Sequence, residues 1–242
     1  IEIPPPRIGL YKSYVPSMDE GWTRWVFDQF GFRYASLRNA DFHAGNLRAR
    51  FDVIVFPDQP PSTIHAGHKP GSMPEEFTGG VGDKGVEALR EFARQGGTLL
   101  FFNRAADYAV ERLALPVKPV LRGVSNRDFY CPGSLLNAVL DESHPMTHGL
   151  PRELTIWVEQ SPAWELPAES PARAVVRYPS SGLLASGWLL GEKFLAGKAA
   201  VVECPLGEGR VILFGMRPQY RGQSWQSFKF LFNSLALAAA RP

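Results

Sequence analysis

Short apolar runs alternate with amphipathic segments through the first half of the chain. Buried-type strands are predicted at residues 7–11, 33–37, 51–56 and 98–102. Helical spacing of apolar residues predicts helices from residue 19 to a stop at Gly31, and over residues 83–95 and 105–113. A Pro- and Gly-rich loop is expected over residues 57–82. This order favours crossover units and a parallel sheet.

The second half has a different pattern. Residues 115–166 are irregular, and short strands are predicted at 174–178, 183–189, 199–203 and 210–214. Gly207-Glu208-Gly209 is typical of a hairpin between the last two, and a final helix is predicted over residues 224–240. We therefore expect one α/β domain over residues 7–242, with a doubly wound, mostly parallel sheet and added antiparallel strands. The opening Ile-Glu-Ile-Pro-Pro-Pro, residues 1–6, is interpreted as a linker.

Composition excludes some classes of function. The 242 residues are 45% hydrophobic and 21% charged, which favours a packed core over disorder. The 26 basic and 24 acidic residues give a net charge of +2, too small to indicate nucleic-acid binding. The apolar runs are too short to predict a membrane span. Cys131 and Cys204 are either paired or free, and free buried thiols are the favoured interpretation.

The end of the last predicted strand resembles a catalytic turn that lacks catalytic residues. It has the sequence Met-Arg-Pro-Gln, where class I glutamine amidotransferases carry Phe-His-Pro-Glu. Arg217 stands in place of the histidine and Gln219 in place of the glutamate. An arginine does not accept a proton near neutral pH, and an amide does not orient a base as a carboxylate does.

The expected position of the nucleophile leads to the same conclusion. In such folds the nucleophile lies on a tight turn between a central strand and a helix. Here residues 103–107, Asn-Arg-Ala-Ala-Asp, contain no Cys, Ser or Thr. The structural interpretation is that Asn103 and Asp107 cap the helix that follows. The functional interpretation is that Asn103, Arg217 and Gln219 face one shallow pocket at the carboxyl ends of parallel strands.

Planar donors and aromatic rings are concentrated after the last strand. The candidate ligand or interface residues are Asn103, Arg217, Gln219, Tyr220, Arg221 and Trp225. Arg and aromatic residues favour protein interfaces, and a strand-end crevice favours a small ligand. A solvated, self-bonded surface is the alternative.

Metal binding is a weaker possibility. His65 and His68 lie in the Pro- and Gly-rich loop, with Glu75 and Glu76 downstream, and two imidazoles with a carboxylate are suitable zinc ligands. A spacing of three in a loop fixes no geometry, however, so we expect neither a bound metal nor a cofactor. His144 is expected to begin a turn, with its imidazole bonded to backbone.

Over nearly its full length the chain resembles the amidotransferase-like domain that follows the catalytic domain in some bacterial zinc carboxypeptidase-like proteins. The resemblance depends on the order of six segments, which are residues 53–59, 77–82, 92–99, 144–151, 186–189 and 207–219, the last with 228–233. It implies a flavodoxin-like, class I amidotransferase-type fold without a working triad. Similar inactive domains of some β-galactosidases serve assembly.

The resemblance also implies a role beside a neighbouring peptidase domain of the same polypeptide, in a periplasmic or secreted protein. The peptidase's zinc ligands would belong to that other domain. We therefore expect a non-catalytic accessory domain. The alternatives are a peptide- or carbohydrate-binding module that uses the strand-end crevice, and a metal-dependent hydrolase that uses His65 and His68.

Overall fold

The computed structural model describes residues 4–240, which form a twelve-stranded mixed sheet with helices on both faces. The strands are Ile8–Tyr11 (β1), Tyr34–Leu37 (β2), Val53–Phe56 (β3), Thr98–Phe102 (β4), Lys118–Pro119 (β5), Ser134–Leu140 (β6), Glu153–Val158 (β7), Trp164–Glu165 (β8), Arg173–Arg177 (β9), Leu184–Ser186 (β10), Ala199–Leu206 (β11) and Gly209–Phe214 (β12). The α-helices are Met18–Gln29 (α1), Asn39–Ala44 (α2), Leu47–Arg50 (α3), Pro61–Ala66 (α4), Gly82–Arg94 (α5), Arg104–Arg112 (α6) and Trp225–Ala239 (α7). Short 3-10 turns occur at Glu75–Phe77, Pro145–Thr147, Glu192–Phe194 and Tyr220–Gly222.

The predicted fold class is confirmed by the strand order. The sheet runs β10-β6-β9-β11-β12-β4-β3-β1-β2, with β7 also pairing β6, and β8 joining β5 to β11. Strands β2, β1, β3, β4 and β12 are mutually parallel, and the strands beyond β12 are antiparallel. The hairpin between β11 and β12 is present as predicted. The parallel strands therefore form one half of the sheet, and the antiparallel strands extend the sheet from β12.

Helices cover both faces of the parallel strands because successive side chains of a buried strand point to opposite faces. On one face, Val55 and Phe102 pack with Phe27 of α1 and Leu231 of α7. On the other face, Phe56 and Phe101 pack with α5 and α6. The completely buried strand β3 thus matches its continuous apolar sequence.

Two stretches are more regular than predicted. The loop expected over residues 57–82 contains α4, whose C-terminal turn lies against Gly80 so closely that a Cβ there would be 2.5 Å from the Ile64 carbonyl oxygen. The irregular stretch at 115–166 contains the antiparallel pair β6 and β7. Both strands alternate buried residues with more exposed ones, which is the two-residue period of a strand with one covered face. The turn residues between the strands make this period difficult to identify in the sequence. Helices α2 and α3 were also not predicted.

Residues 1–3 of the expected linker lie outside the described part of the chain, and Pro4–Pro6 have no regular secondary structure. Within residues 4–240, no helix has the length and apolarity needed to cross a membrane. Cys131 and Cys204 are both buried and free, as the favoured interpretation predicted.

Candidate functional site

Three strand ends bring the site together. Asp58 follows β3, Asn103 follows β4 and Arg217 follows β12. These strands are parallel neighbours in the order β12-β4-β3, so their carboxyl ends lie at the same edge of the sheet. This is the edge at which open α/β sheets bind ligands.

Asn103 has the backbone of a nucleophile turn. Its φ of 51° and ψ of −123° are unusual for a non-glycine residue, and it joins β4 directly to α6. Its backbone N–H donates to the Phe214 carbonyl oxygen at 2.8 Å, which ties the turn to the end of β12. The side chain is completely buried, and neither amide atom has a hydrogen-bond partner in the described structure.

The prediction that Asn103 and Asp107 cap α6 is wrong. Asn103 occupies the N-cap position but makes no side-chain cap bond, because its strained backbone directs the amide into the interior. Asp58 supplies the bond instead, as its Oδ1 accepts from the backbone N–H of Arg104 at 3.0 Å. The Asp58 carboxylate also accepts from Arg104 Nε and Nη2 at 3.0 and 2.9 Å. No local sequence pattern indicated that a residue 46 positions away would cap this helix.

Arg217 is surrounded by carboxylates. Its Nη2 donates to Asp58 Oδ2 at 2.6 Å and its Nη1 to Glu159 Oε2 at 2.9 Å, while its Nε lies 3.3 Å from Asp19 Oδ1. The Arg217 side chain is 10% exposed and that of Asp58 is completely buried. Such pairs are held by several charge-assisted hydrogen bonds in a poorly hydrated environment. Arg217 is thus the centre of an ion-pair network.

The two buried carboxylates of this network titrate differently. Burial opposes ionisation of Asp58, but hydrogen bonds and charges from Arg104 and Arg217 outweigh it and hold the pKa of Asp58 below its ordinary value. Burial raises the pKa of Asp19 to about 6 against the attraction of Arg217, and repulsion from Asp58 and Glu159 adds to the rise. The charged form of Asp58, which two guanidinium groups contact, is therefore stabilised more than the charged form of Asp19.

Gln219 is completely buried and forms hydrogen bonds with α1. Its Nε2 donates to Thr23 Oγ1 at 3.1 Å and lies 3.4 Å from the Asp19 carbonyl oxygen. The Thr23 hydroxyl in turn donates to the Asp19 carbonyl oxygen at 2.7 Å. A side-chain donor is therefore required at position 219, and a carboxylate would not supply one at neutral pH.

The predicted common pocket is only partly correct. A cavity of about 370 Å³ opens at this edge and is lined by Asp19, Asp58, Arg104, Glu159, Arg217, Tyr220 and Arg221 among others. Asn103 and Gln219 do not line it, because both side chains turn into the protein interior. Asp19, Arg104 and Glu159 were missed as site residues, since they belong to three separate segments with no shared motif.

The aromatic residues after β12 separate into two groups. Tyr220 stacks on Trp157 of β7, with ring centroids 4.5 Å apart, and Arg221 lies over the Tyr220 ring at 5.5 Å. Trp225 lies outside the cavity, is 68% exposed, and contacts Phe30 and Phe228. Trp225 therefore belongs to the outer surface, and the cavity wall ends at Arg221.

The histidines are not gathered into a metal centre. His65 Nε2 lies 3.7 Å from Asp83 Oδ1, and the backbone of His68 forms a bridge with Gly79. Within residues 4–240, no three His, Cys, Asp or Glu side chains are placed to hold an ion together. His144 begins a turn as predicted, since its Nδ1 accepts from the Met146 N–H at 3.2 Å.

Several solved structures align with this chain over nearly its whole length. PurLQS from Thermotoga maritima aligns with a TM-score of 0.60 and 14% identity, covering 95% of this chain and 97% of that one. A putative GMP synthase protein from Thermoplasma acidophilum aligns at 0.57 and 11%, over 97% and 94%. A putative ThuA-like protein from Bacteroides uniformis aligns at 0.55 and 13%, over 97% and 91%. The chain has a class I glutamine amidotransferase-like fold.

Neither the protein-family models nor the curated proteins gave a match. The structural alignments extend over nearly the whole chain, so the amidotransferase-like unit includes the antiparallel second half as well as the parallel core.

Proposed function

We propose that this amidotransferase-like chain is a non-catalytic accessory domain. The observation that carries the proposal is the state of the strand-end residues. The turn after β4 presents a buried asparagine, Asn103, in place of a nucleophile. Arg217 and Gln219, which stand in place of the base and its orienting acid, both have structural partners.

The chemistry of these groups supports the same conclusion. Acyl transfer needs an atom that attacks the carbonyl carbon and a base that takes its proton. An amide nitrogen is not such a nucleophile, and the Arg217 guanidinium stays protonated. Even with a different nucleophile, Arg217 would remain engaged by Asp58 and Glu159.

The proposed partner is the neighbouring peptidase domain of a larger zinc carboxypeptidase-like protein in the periplasm or outside the cell. This part of the proposal is supported by the order of the six sequence segments that carry the resemblance. It predicts that an antibody against this domain detects a native polypeptide far larger than 26.8 kDa. A native band at 26.8 kDa would contradict it.

Absence of catalysis is tested by assaying the purified chain for glutaminase and esterase turnover. We expect no rate above that of heat-denatured protein. The matched variants are Asn103→Ala and Arg217→Lys, with Arg152→Lys, whose side chain is 70% exposed, as the control. Turnover by the parent chain that falls in either site variant and persists in the control would overturn the proposal.

The second candidate is a peptide- or carbohydrate-binding module. The cavity of about 370 Å³ favours it, because its lining combines the aromatic ring of Tyr220 with basic groups such as Arg221 and acidic groups such as Glu159. A ligand at a hundredfold excess over its Kd would stabilise the fold by about 2.7 kcal/mol. Thermal unfolding with a panel of peptides and glycans tests this, and a panel without any shift would refute it.

The third candidate, a metal-dependent hydrolase using His65 and His68, is the least supported because no third ligand accompanies them among the described residues. Metal analysis of protein prepared without chelators tests it. Zinc at a full equivalent that is lost in His65→Ala would support this candidate, and substoichiometric zinc that is unchanged in the variant would eliminate it.

A further inference from the structure

A second cavity, of about 580 Å³, lies beside α6 and shares no lining residue with the candidate functional site. Its wall is the segment 119–131, which faces α6 and the loop 160–163. Volumes of this size accept small organic molecules. The cavity is therefore a separate candidate binding site.

Backbone hydrogen bonds fix the wall segment at both ends. At one end, the Val120 N–H donates to the Ala163 carbonyl oxygen at 3.0 Å. At the other end, Tyr130 and Leu190 exchange two bonds of 3.1 and 2.9 Å. The Gln160 N–H donates to the Cys131 carbonyl oxygen at 3.3 Å, which joins the wall to the opposite loop. The cavity is thus built from anchored backbone, so its shape is largely formed before a ligand arrives.

Asp107 is the unusual polar group of this cavity. It lies one turn after Asn103 on α6, is partly buried, and has no hydrogen bond or ion pair in the described structure. The next acidic residue on the same side of α6, Glu111, is paired with Arg122 Nη2 at 2.5 Å. Burial raises the pKa of Asp107 to about 6, with Arg122 lowering it and Glu111 raising it. Asp107 thus presents its carboxylate to the cavity without a hydrogen-bond donor from the described residues.

The rest of the lining combines apolar and polar groups. Apolar surface comes from Pro61, Pro119, Leu121, Val124, Phe129, Pro162 and Ala163, and polar groups come from residues such as Asn126, Gln160 and Ser161. The charged lining residues Asp107, Glu111 and Arg122 sum to one negative charge, which disfavours an anionic ligand. A divalent metal is also disfavoured, because the Glu111 carboxylate is already engaged by Arg122.

We propose that this cavity binds a small organic amine, with its ammonium group on Asp107 and its hydrocarbon part against Leu121, Val124 and Phe129. An ammonium group supplies the donors that the carboxylate lacks and balances its charge. The site does not depend on the proposed non-catalytic function, because no residue of the ion-pair network contributes to it.

The experiment compares 2-phenylethylamine with its neutral counterpart 2-phenylethanol by calorimetry near pH 8, where the amine is protonated and Asp107 is ionised. We expect the amine to bind at least tenfold more tightly than the alcohol. Asp107→Asn has the same shape and should reduce this preference to less than twofold. Asp83→Asn, at a side chain that is 90% exposed, is the matched control and should retain it.

Three results would overturn the proposal. They are equal affinity for amine and alcohol, no binding of either compound, and an amine preference that survives in a folded Asp107→Asn variant. The first two need only the parent chain, so the test does not depend on whether a variant folds. Circular dichroism of the variant distinguishes loss of the site from loss of structure.

Discussion

Arg217 and Asp58 form a buried ion pair across 159 positions of sequence, with Arg217 Nε and Nη2 donating to one Asp58 oxygen at 3.1 and 2.6 Å. The pair joins the end of β12 to the end of β3, on either side of β4. Through Asp58 it also reaches the first residue of α6, Arg104. The geometry of the whole strand-end edge therefore depends on this contact.

Arg217→Met is expected to lower the free energy of unfolding by about 3–5 kcal/mol, because it leaves Asp19 without its main counter-charge and Asp58 with only Arg104 as a paired guanidinium. Denaturant titration followed by circular dichroism measures this change. Arg152→Met is the control, since its partner Glu142 is 4.0 Å away and both side chains are largely exposed. Equal stability of the two variants would show that the network contributes no more than a surface pair.

Asp19 is expected to make stability depend on pH between about 4 and 6. Its pKa in the folded state is raised to about 6 from an ordinary value of 3.8. The folded protein therefore holds this proton more tightly than the unfolded chain, and the contribution to stability is complete at low pH and lost as pH rises through 6. Asp19→Asn should remove this loss, which is on the order of 2–3 kcal/mol.

The measurement is the stability difference between Asp19→Asn and the parent chain at a series of pH values. Subtracting the parent curve removes the titration of the other carboxylates. The difference should favour the variant increasingly from pH 4 to pH 7. A flat difference curve would contradict the assignment. The exposed Asp83→Asn variant provides the reference difference curve for a carboxylate outside the network.

Gln219→Glu is expected to destabilise the protein by about 1–3 kcal/mol at neutral pH. An ionised carboxylate cannot donate to Thr23 and would face the Asp19 carbonyl oxygen in a completely buried position. Protonation restores a donor, so the loss should shrink toward pH 4. Melting temperatures at the two pH values measure the effect, with exposed Gln223→Glu as the control. A pH-independent loss would show that the Gln219 donor is not what the fold requires.

Asn103→Gly is expected to leave the fold intact and raise its stability by about 1 kcal/mol, because glycine adopts φ of 51° without strain and removes two unpaired amide atoms. Asn103→Val should destabilise the protein, since a β-branched residue is poorly tolerated at positive φ. Thermal unfolding ranks the three chains. A valine variant as stable as the glycine variant would show that the turn is not strained.

The free cysteines should react with a thiol reagent only after unfolding. Both are buried, and burial raises the pKa of Cys204 to about 12, which keeps it as the unreactive thiol. Titration with and without denaturant is the measurement, and Cys131→Ala separates the two residues. A thiol that reacts in the native protein would indicate local opening around it.

The sequence alone predicts the core strands of the fold, but it does not predict the contacts within the candidate functional site. Strands β3 and β4 are continuous apolar runs between clear turns, so their burial and parallel pairing could be predicted. Strand β6 alternates buried and more exposed residues, but it lies in a stretch rich in turn residues. Its two-residue period is therefore difficult to identify in the sequence. The positions of Arg217 and Gln219 followed from a motif, but their partners did not.

Contacts such as Arg217–Glu159 join residues 58 positions apart in sequence. No local pattern encodes which strand ends meet. The sequence around Glu159 therefore does not indicate that its carboxylate pairs with Arg217. Asp58 lies just after β3, but its two roles, pairing with Arg217 and capping α6, depend on contacts with residues 159 and 46 positions away in sequence.

Asp58 both pairs with Arg217 and caps α6, and these two roles limit which substitutions this chain can accept during evolution. Installing a histidine at position 217 would remove one of the two guanidinium groups that pair with Asp58, and replacing Asp58 would uncap α6 at the turn where a nucleophile must be held. A glutamate at position 219 would meet the buried face of α1. Single-step paths toward an amidotransferase triad therefore pass through less stable proteins, and several buried positions would have to change together.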